Sequence, residues 1–316
     1  MVVDDTSPGV GQSTPQPPRN ESGEGIASVR WDYDLAFARN RGLISREHQE
    51  VLRNTRVAIA GLGGVGGNHL IELVRMGFGR FTIADPDTFD VANTNRQFGA
   101  KLSNQGRGKA EAMAEAALDI NPELDLRVMA EPIGPDNLDR FFDGADLYID
   151  GLDFWAFSVR PLVFREARRR SIWAITSAPL GFSAARLVFD PGGMSFDEYF
   201  GRLDEMPELD RFCNFLLGLA PAGTHFRYLD LSEVDRGETR GPSSGAACSL
   251  CAAHTAVDAM RIICDRKKPA AAPAWKQFDA YFEQVKHGVL RWGNRGPVQR
   301  AKLHLLKQKM RSLGYA

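Results

Sequence analysis

An α/β fold, with a Rossmann-like doubly wound and mostly parallel sheet, is predicted from three features of the chain. Short apolar, β-branched runs alternate with runs of helical period between residues 56 and 189. A glycine-rich turn, Gly61-Leu62-Gly63-Gly64-Val65-Gly66-Gly67, follows the first such strand. An acidic residue, Asp85, closes the second strand at about the separation of roughly twenty positions that suits a nucleotide-binding crossover.

The elements follow in order. A strand at 56–60 feeds the glycine turn, and 68–76 is compatible with a helix. A second strand at 81–84 ends in Asp85. Helices are expected at 108–119, 135–142 and 158–170, and strands at 125–129, 146–150 and 172–176, giving parallel strands joined by right-handed crossovers. Residues 182–189 read as one more strand, stopped by Asp190-Pro191-Gly192-Gly193. From 190 to about 240 the pattern loosens and turns acidic, and a helix near 246–264 restores order. From 286 to 316 there are eight Lys or Arg and no Asp or Glu, with Val298, Leu303, Leu306 and Met310 near helical spacing. That end is expected to pack an apolar stripe on its own domain, with docking to nucleic acid possible but not favoured.

Composition sets limits. A chain of 316 residues that is 43% hydrophobic can build a substantial core. A net charge of -1 argues against general nucleic-acid binding. No stretch approaches eighteen or so consecutive apolar residues, so no membrane span is expected. Residues 1–27, rich in Pro, Ser, Gly and acid, lack the basic start and apolar core of a signal peptide and are expected to be a disordered arm. Four cysteines in a chain of this length form no disulfide framework, so a cytoplasmic location is expected.

Charge narrows the nucleotide. A dinucleotide presents a pyrophosphate that backbone N–H groups at a helix N-terminus largely satisfy. A triphosphate undergoing cleavage needs side-chain cations, because negative charge shifts between its oxygens as the bond breaks. Arg96, just past the second strand, and Lys109, at the start of a helical run, are cations that a nicotinamide enzyme would leave idle. A NAD-dependent oxidoreductase is therefore the more distant alternative, and a catalytically silent scaffold is weakened by the full set of polar residue types.

Taken jointly, Gly61, Gly63, Gly64 and Gly66, then Asp85, Asn93-x-x-Arg96-Gln97, Gly108-Lys109 and Asp150-Gly151-Leu152-Asp153 resemble the adenylation domain of the ThiF, MoeB and ubiquitin-activating-enzyme (E1-like) adenylyltransferases. The resemblance covers residues 30–190 well and the helix near 248–264 loosely. It implies an ATP-binding adenylation domain at 28–190, with 191–316 a crossover region and C-terminal extension, helical and antiparallel, completing the same fold. It implies that Asp85 holds the ribose of ATP, that Arg96 and Lys109 contact its phosphates with Asn93 and Gln97 beside them, and that Asp153 binds the accompanying magnesium. It further implies that Arg39, in Phe37-Ala38-Arg39-Asn40-Arg41, reaches the ATP of a partner subunit in a homodimer.

The implied activity is ATP-dependent adenylation of a carboxylate with release of pyrophosphate. Its acceptor is expected to be the C-terminal glycine of a small ubiquitin-like or sulfur-carrier protein, or a peptide. A small-molecule or tRNA-borne carboxylate, as in relatives that dehydrate a modified tRNA adenosine, is the close alternative. The chain departs from the family in its cysteines: one Cys-x-x-Cys pair, Cys248 and Cys251, stands where many members have two, and structural zinc, which wants four ligands, is not expected. Cys213 is the cysteine of the crossover region; its apolar neighbours, Phe212, Phe215, Leu216 and Leu217, argue for a structural thiol rather than a thioester-forming one.

Overall fold

The computed structural model describes residues 31–230, 241–312 and 314. The expected disordered arm at 1–27 lies outside the described residues. The chain divides at Ala38 and Arg39 into two units. In the first, the described residues form a short helix, α1 (Tyr33–Ala36), whose N-cap Asp32 accepts from the Leu35 N–H at 2.8 Å. The rings of Trp31, Tyr33 and Phe37 pack on one another there.

The second unit runs α2 (Arg46–Asn54), β1 (Arg56–Ala60), α3 (Gly66–Arg75), β2 (Arg80–Ala84), α4 (Lys109–Ile120), β3 (Asp125–Met129), α5 (Leu138–Phe141), β4 (Leu147–Asp150) and α6 (Val159–Arg169). It continues with β5 (Trp173–Leu180), β6 (Ser183–Phe189), α7 (Phe196–Phe200), α8 (Glu208–Leu219), α9 (Gly245–Ile263), β7 (Ala274–Asp279), β8 (Gln284–Val289) and α10 (Pro297–Ser312). The eight strands among the described residues form one sheet in the order β3-β2-β1-β4-β5-β6-β7-β8. The pairs from β3 to β5 are parallel and those from β5 to β8 antiparallel. Chain order reverses between β1 and β4, so the crevice at their carboxyl ends is the topological switch point where open α/β sheets take ligands.

Strand periodicity explains the two layers. On β1, Val57 and Ile59 join one core with Leu70, Leu73 and Val74 of α3, Met113 of α4 and Ala259 of α9. Ala58 and Ala60 face the other core, with Phe141, Val163, Phe164, Phe200 and Phe215 from α5, α6, α7 and α8. A central strand buried on both faces must be apolar throughout, as Arg56–Ala60 is beyond its first residue. The predicted doubly wound sheet is therefore observed, and strand 125–129 has the bounds read from the sequence.

Other details differ. The loosened stretch after residue 190 contains α7 and α8, because Phe196, Tyr199, Phe200, Phe215 and Leu219 have an apolar core to enter that a local pattern does not reveal. Strands β7 and β8 carry charged and polar residues and no clean alternation; β7 forms by pairing onto β6, and β8 by pairing onto β7. On α10, Leu303 and Met310 pack with Leu209, Cys213 and Leu217 of α8, but Val298 is 70% exposed while Gln299 is buried and donates to the Leu217 carbonyl. The apolar stripe thus omits its first predicted member. Helix α9 is the one described helix whose length and composition would suit a membrane; it packs against α3, β5 and β6, with Cys251, Ala252, Ala256 and Ala259 in the interior.

Candidate functional site

The glycine turn is fixed by close backbone approach. Gly61 has φ +83°, and a Cβ there would lie 2.3 Å from the Gly151 carbonyl oxygen. A Cβ on Gly66 would meet the Gly61 carbonyl at 1.8 Å, so neither position accepts a side chain. These contacts bind the β1–α3 turn to the β4–α6 loop. By contrast, a Cβ on Gly63 or Gly64 would make its nearest contacts at 3.5 Å with the Gln97 side chain and 3.2 Å with Cys248 Sγ. At Gly63 the fold would tolerate a methyl group, so what that glycine keeps open is the approach of a ligand to the backbone.

Around this turn the structure gathers most of the residues singled out in the sequence. Asp85, 5% exposed at the tip of β2, accepts from the Leu62 N–H at 2.6 Å and from the Asp87 N–H at 2.8 Å. Burial pushes its carboxyl pKa up, against these two hydrogen bonds and the nearby Lys109 charge, which pull it down. Each oxygen retains acceptor capacity for a hydroxyl. Gln97 is buried beside Gly63, and its Oε1 has no hydrogen-bond partner among the described residues. The aliphatic stem of Arg96 lies over Gly64, and its guanidinium donates to the Ala92 carbonyl and to Asn95 Oδ1 at 2.9 and 2.8 Å. Lys109, 7% exposed, places Nζ 3.0 Å from Asp87 Oδ2. Asn93 is buried and its Oδ1 accepts from the Asp90 N–H, closing a capping box around a single turn. That bond holds the segment that presents Arg96 and Gln97.

Asp153 lies in the loop after β4, two residues beyond Gly151; it is exposed, and Oδ1 accepts from the Trp155 N–H at 3.0 Å. It therefore caps a local turn, while the N-cap of α6 is Ser158. No described residue bonds Asp153 Oδ2, and an exposed carboxylate of this kind suits a magnesium ion that takes most of its ligands from phosphate and water. Arg39 is placed elsewhere. It is exposed, and the neighbouring Asn40 donates to the Met76 carbonyl at the C-cap of α3, about 15 Å along that helix from the glycine turn. Arg39 is not among the residues assembled around the turn of its own chain.

Three contributors escaped the sequence reading. Asp87 pairs with Lys109, and only its position two residues past Asp85 could have suggested this. Cys248 Sγ sits beneath Gly64, and Asn95 donates to the Ser243 carbonyl, so the start of α9 supports the turn from a distant part of the chain. Arg160 donates through Nε to Asp150 Oδ2 at 2.9 Å and through Nη2 to the Leu152 and Asp153 carbonyls at 2.8 and 2.7 Å. Its guanidinium also lies 4.5 Å from the Phe215 ring centre, and it anchors the loop that carries Asp153. Nothing in the local pattern of α6 distinguishes Arg160 from the solvated arginines that follow it.

The cysteines are free and buried. Burial raises the Cys213 thiol to about 11, which disfavours the thiolate. Cys248 and Cys251 are likewise raised by burial and pack with Val65 and Ala184. Among the described residues no group of three or more His, Cys, Asp or Glu side chains is placed to hold a metal ion.

The ThiF family model matches residues 37–292. The tRNA threonylcarbamoyladenosine dehydratase of Bacillus subtilis is 36% identical over 142 residues, covering 45% of this chain and 55% of the relative. The probable adenylyltransferase/sulfurtransferase MoeZ of Mycobacterium tuberculosis is 34% identical over 108 residues, 34% of this chain and 28% of the relative. The match thus spans about half, or less, of the length of these relatives. Crystal structures of Escherichia coli MccB, one with ATP and one with AMPCPP and MccA, superpose with a TM-score of 0.59 at 19% identity, covering 79% of this chain and 67% of theirs. At that identity the likeness shows a shared fold.

Proposed function

The chain belongs to the ThiF family, and on that premise we propose that it is an ATP-dependent adenylyltransferase that activates a carboxylate as its acyl adenylate. The observation that carries this reading is the convergence of Asp85, Gln97, Arg96 and Lys109 on one glycine turn at the sheet's switch point. A carboxylate oxygen of the acceptor forms a bond to the α-phosphorus, and the bond from that phosphorus to the bridging oxygen breaks, releasing pyrophosphate. Asp85 orients the ribose, the turn's N–H groups and the two cations hold the phosphates, and Gln97 Oε1 accepts a bond from the nucleotide. Asp153 would hold the magnesium, whose charge would offset that of the phosphates. Positioning and counter-charge supply the catalysis, and no general base is required.

Support for the acceptor comes from two sides. MccB with MccA and the sulfurtransferase MoeZ favour a peptide or the C-terminal glycine of a small carrier protein. The dehydratase relative favours a tRNA-borne carboxylate as the second reading. Titration calorimetry separates the nucleotides: ATP with magnesium is expected to bind and NAD not to bind. Tighter binding of NAD would overturn the assignment.

A role for Arg39 needs a second chain, and we propose a homodimer in which it completes the partner's site. Mixing an Arg39→Ala chain with an Asp153→Ala chain should restore part of the pyrophosphate exchange that each variant lacks, since one hybrid site is intact. No restoration in an isolated mixed dimer would rule out action in trans.

A further inference from the structure

At the outer end of the sheet lies a second set of buried polar groups. Strand β6 begins at Ser183 and the antiparallel β7 ends opposite it at Asp279, on the same edge of the sheet as the glycine turn. Ser183, Gln277 and Asp279 are fully buried, and Thr224 and His225 are 4% and 2% exposed. Gln277 Nε2 donates to Ser183 Oγ at 3.0 Å and to Thr224 Oγ1 at 2.7 Å, and its Oε1 has no partner among the described residues. Asp279 Oδ1 accepts from the Tyr281 and Phe282 N–H groups, and Oδ2 has no hydrogen-bond partner among the described residues. Both ring nitrogens of His225 also lack a partner among the described residues, and burial lowers this imidazole to about 4, so it is neutral near pH 7 and presents one acceptor nitrogen.

A buried carboxylate without a cation is costly, and so is each buried acceptor without a donor. Among the described residues no salt bridge reaches Asp279, and its neighbours there are the Tyr228 hydroxyl and the His225 ring. Aromatic rings surround them. Tyr228 packs 4.9 Å from Tyr281 and 5.6 Å from Phe282, and Phe182 stacks on Tyr281 at 6.0 Å. Phe182 and Tyr281 are 44% and 61% exposed, so the aromatic patch presents a face to solvent. Ring faces attract cations, and Arg227 already lies 4.2 Å from the centre of the Phe282 ring.

We propose that this aromatic-capped cluster is a binding site for a primary ammonium group. Three N–H donors of an ammonium match Asp279 Oδ2, Gln277 Oε1 and a His225 nitrogen, and its charge offsets the carboxylate. A quaternary ammonium satisfies the rings but none of the acceptors. The group's source is the α-amine of a peptide or a lysine side chain, which share this chemistry. The site lies four strands from β1, roughly 19 Å across the sheet, and does not depend on adenylation.

The test is thermal unfolding at pH 7 and constant ionic strength, with n-propylammonium, tetramethylammonium or potassium chloride as the variable salt. Propylammonium is expected to raise the midpoint by roughly 2 to 4 °C at ten times its dissociation constant, with no such rise from the other two ions. An Asp279→Asn variant should lose that rise. Saturation-transfer NMR of propylammonium on the wild-type protein provides a reading that needs no variant. Alanine amide and Nα-acetyl-lysine amide, used in the same way, tell an α-amine from a side-chain amine. Equal effects of all three cations, or no transfer to propylammonium, would overturn the proposal. ATP binding, measured separately, would be unaffected by either outcome.

Discussion

Replacing Lys109 with alanine is expected to slow pyrophosphate exchange by about 30- to 1,000-fold, about 2 to 4 kcal/mol of lost transition-state stabilisation. The size follows from the setting. Lys109 is 7% exposed, its ammonium is held 3.0 Å from Asp87, and its charge acts on Asp85 at the tip of the adjacent strand. A charge fixed before the reaction and shielded from water acts on developing negative charge at no cost of reorganisation. Stability should change little, because Asp87 has a side chain 68% exposed and is solvated once its partner is gone, so a pair open to water on its acidic side is worth about 1 kcal/mol. The rate and the fold are thus separable. A variant that retains exchange within about threefold of wild type would remove Lys109 from the chemistry, and a change confined to KM would make it a ground-state contact.

Replacing Arg160 with methionine is expected to cost about 3 to 5 kcal/mol of folding stability. Arg160 and Asp150 each have a side chain 2% exposed, and Asp150 Oδ2 also accepts from Thr176 Oγ1 at 2.8 Å. Removing the guanidinium strands a buried carboxylate and frees the Leu152 and Asp153 carbonyls that it held. Much of the loss is the penalty on the abandoned partner, not the worth of the pair. The double variant Arg160→Met with Asp150→Leu should therefore recover part of the stability, since the desolvation penalty goes with both charges. Urea midpoints at a constant slope report this directly. A loss under about 1 kcal/mol for Arg160→Met would mean that water reaches Asp150. If the double variant also fails to exchange pyrophosphate although folded, the pair is needed to place the Asp153 loop.

Local patterns along the chain carry the parallel half of the fold. Strand period, helix period and the glycine turn are local patterns, and each survives into the structure because burial on both faces of β1 and β4 demands apolar residues at every interior position. The same patterns also mark the residues that meet at the turn, because Gly61, Gly66, Asp85, Arg96, Gln97 and Lys109 sit at the ends of elements whose order the pattern gives. The pairings between distant parts of the chain depend on tertiary packing. The Lys109–Asp87 pair, the Arg160–Asp150 anchor, Cys248 beneath Gly64 and the pairing of β7 on β6 leave no periodic trace in the sequence. A charged side chain enters the interior only where another part of the chain supplies its counter-charge and hydrogen bonds. In sequence, Arg160 reads like the exposed Arg168 and Arg169 that follow it on the same helix. Only the packing of β4 and α8 around Arg160 makes it a buried anchor.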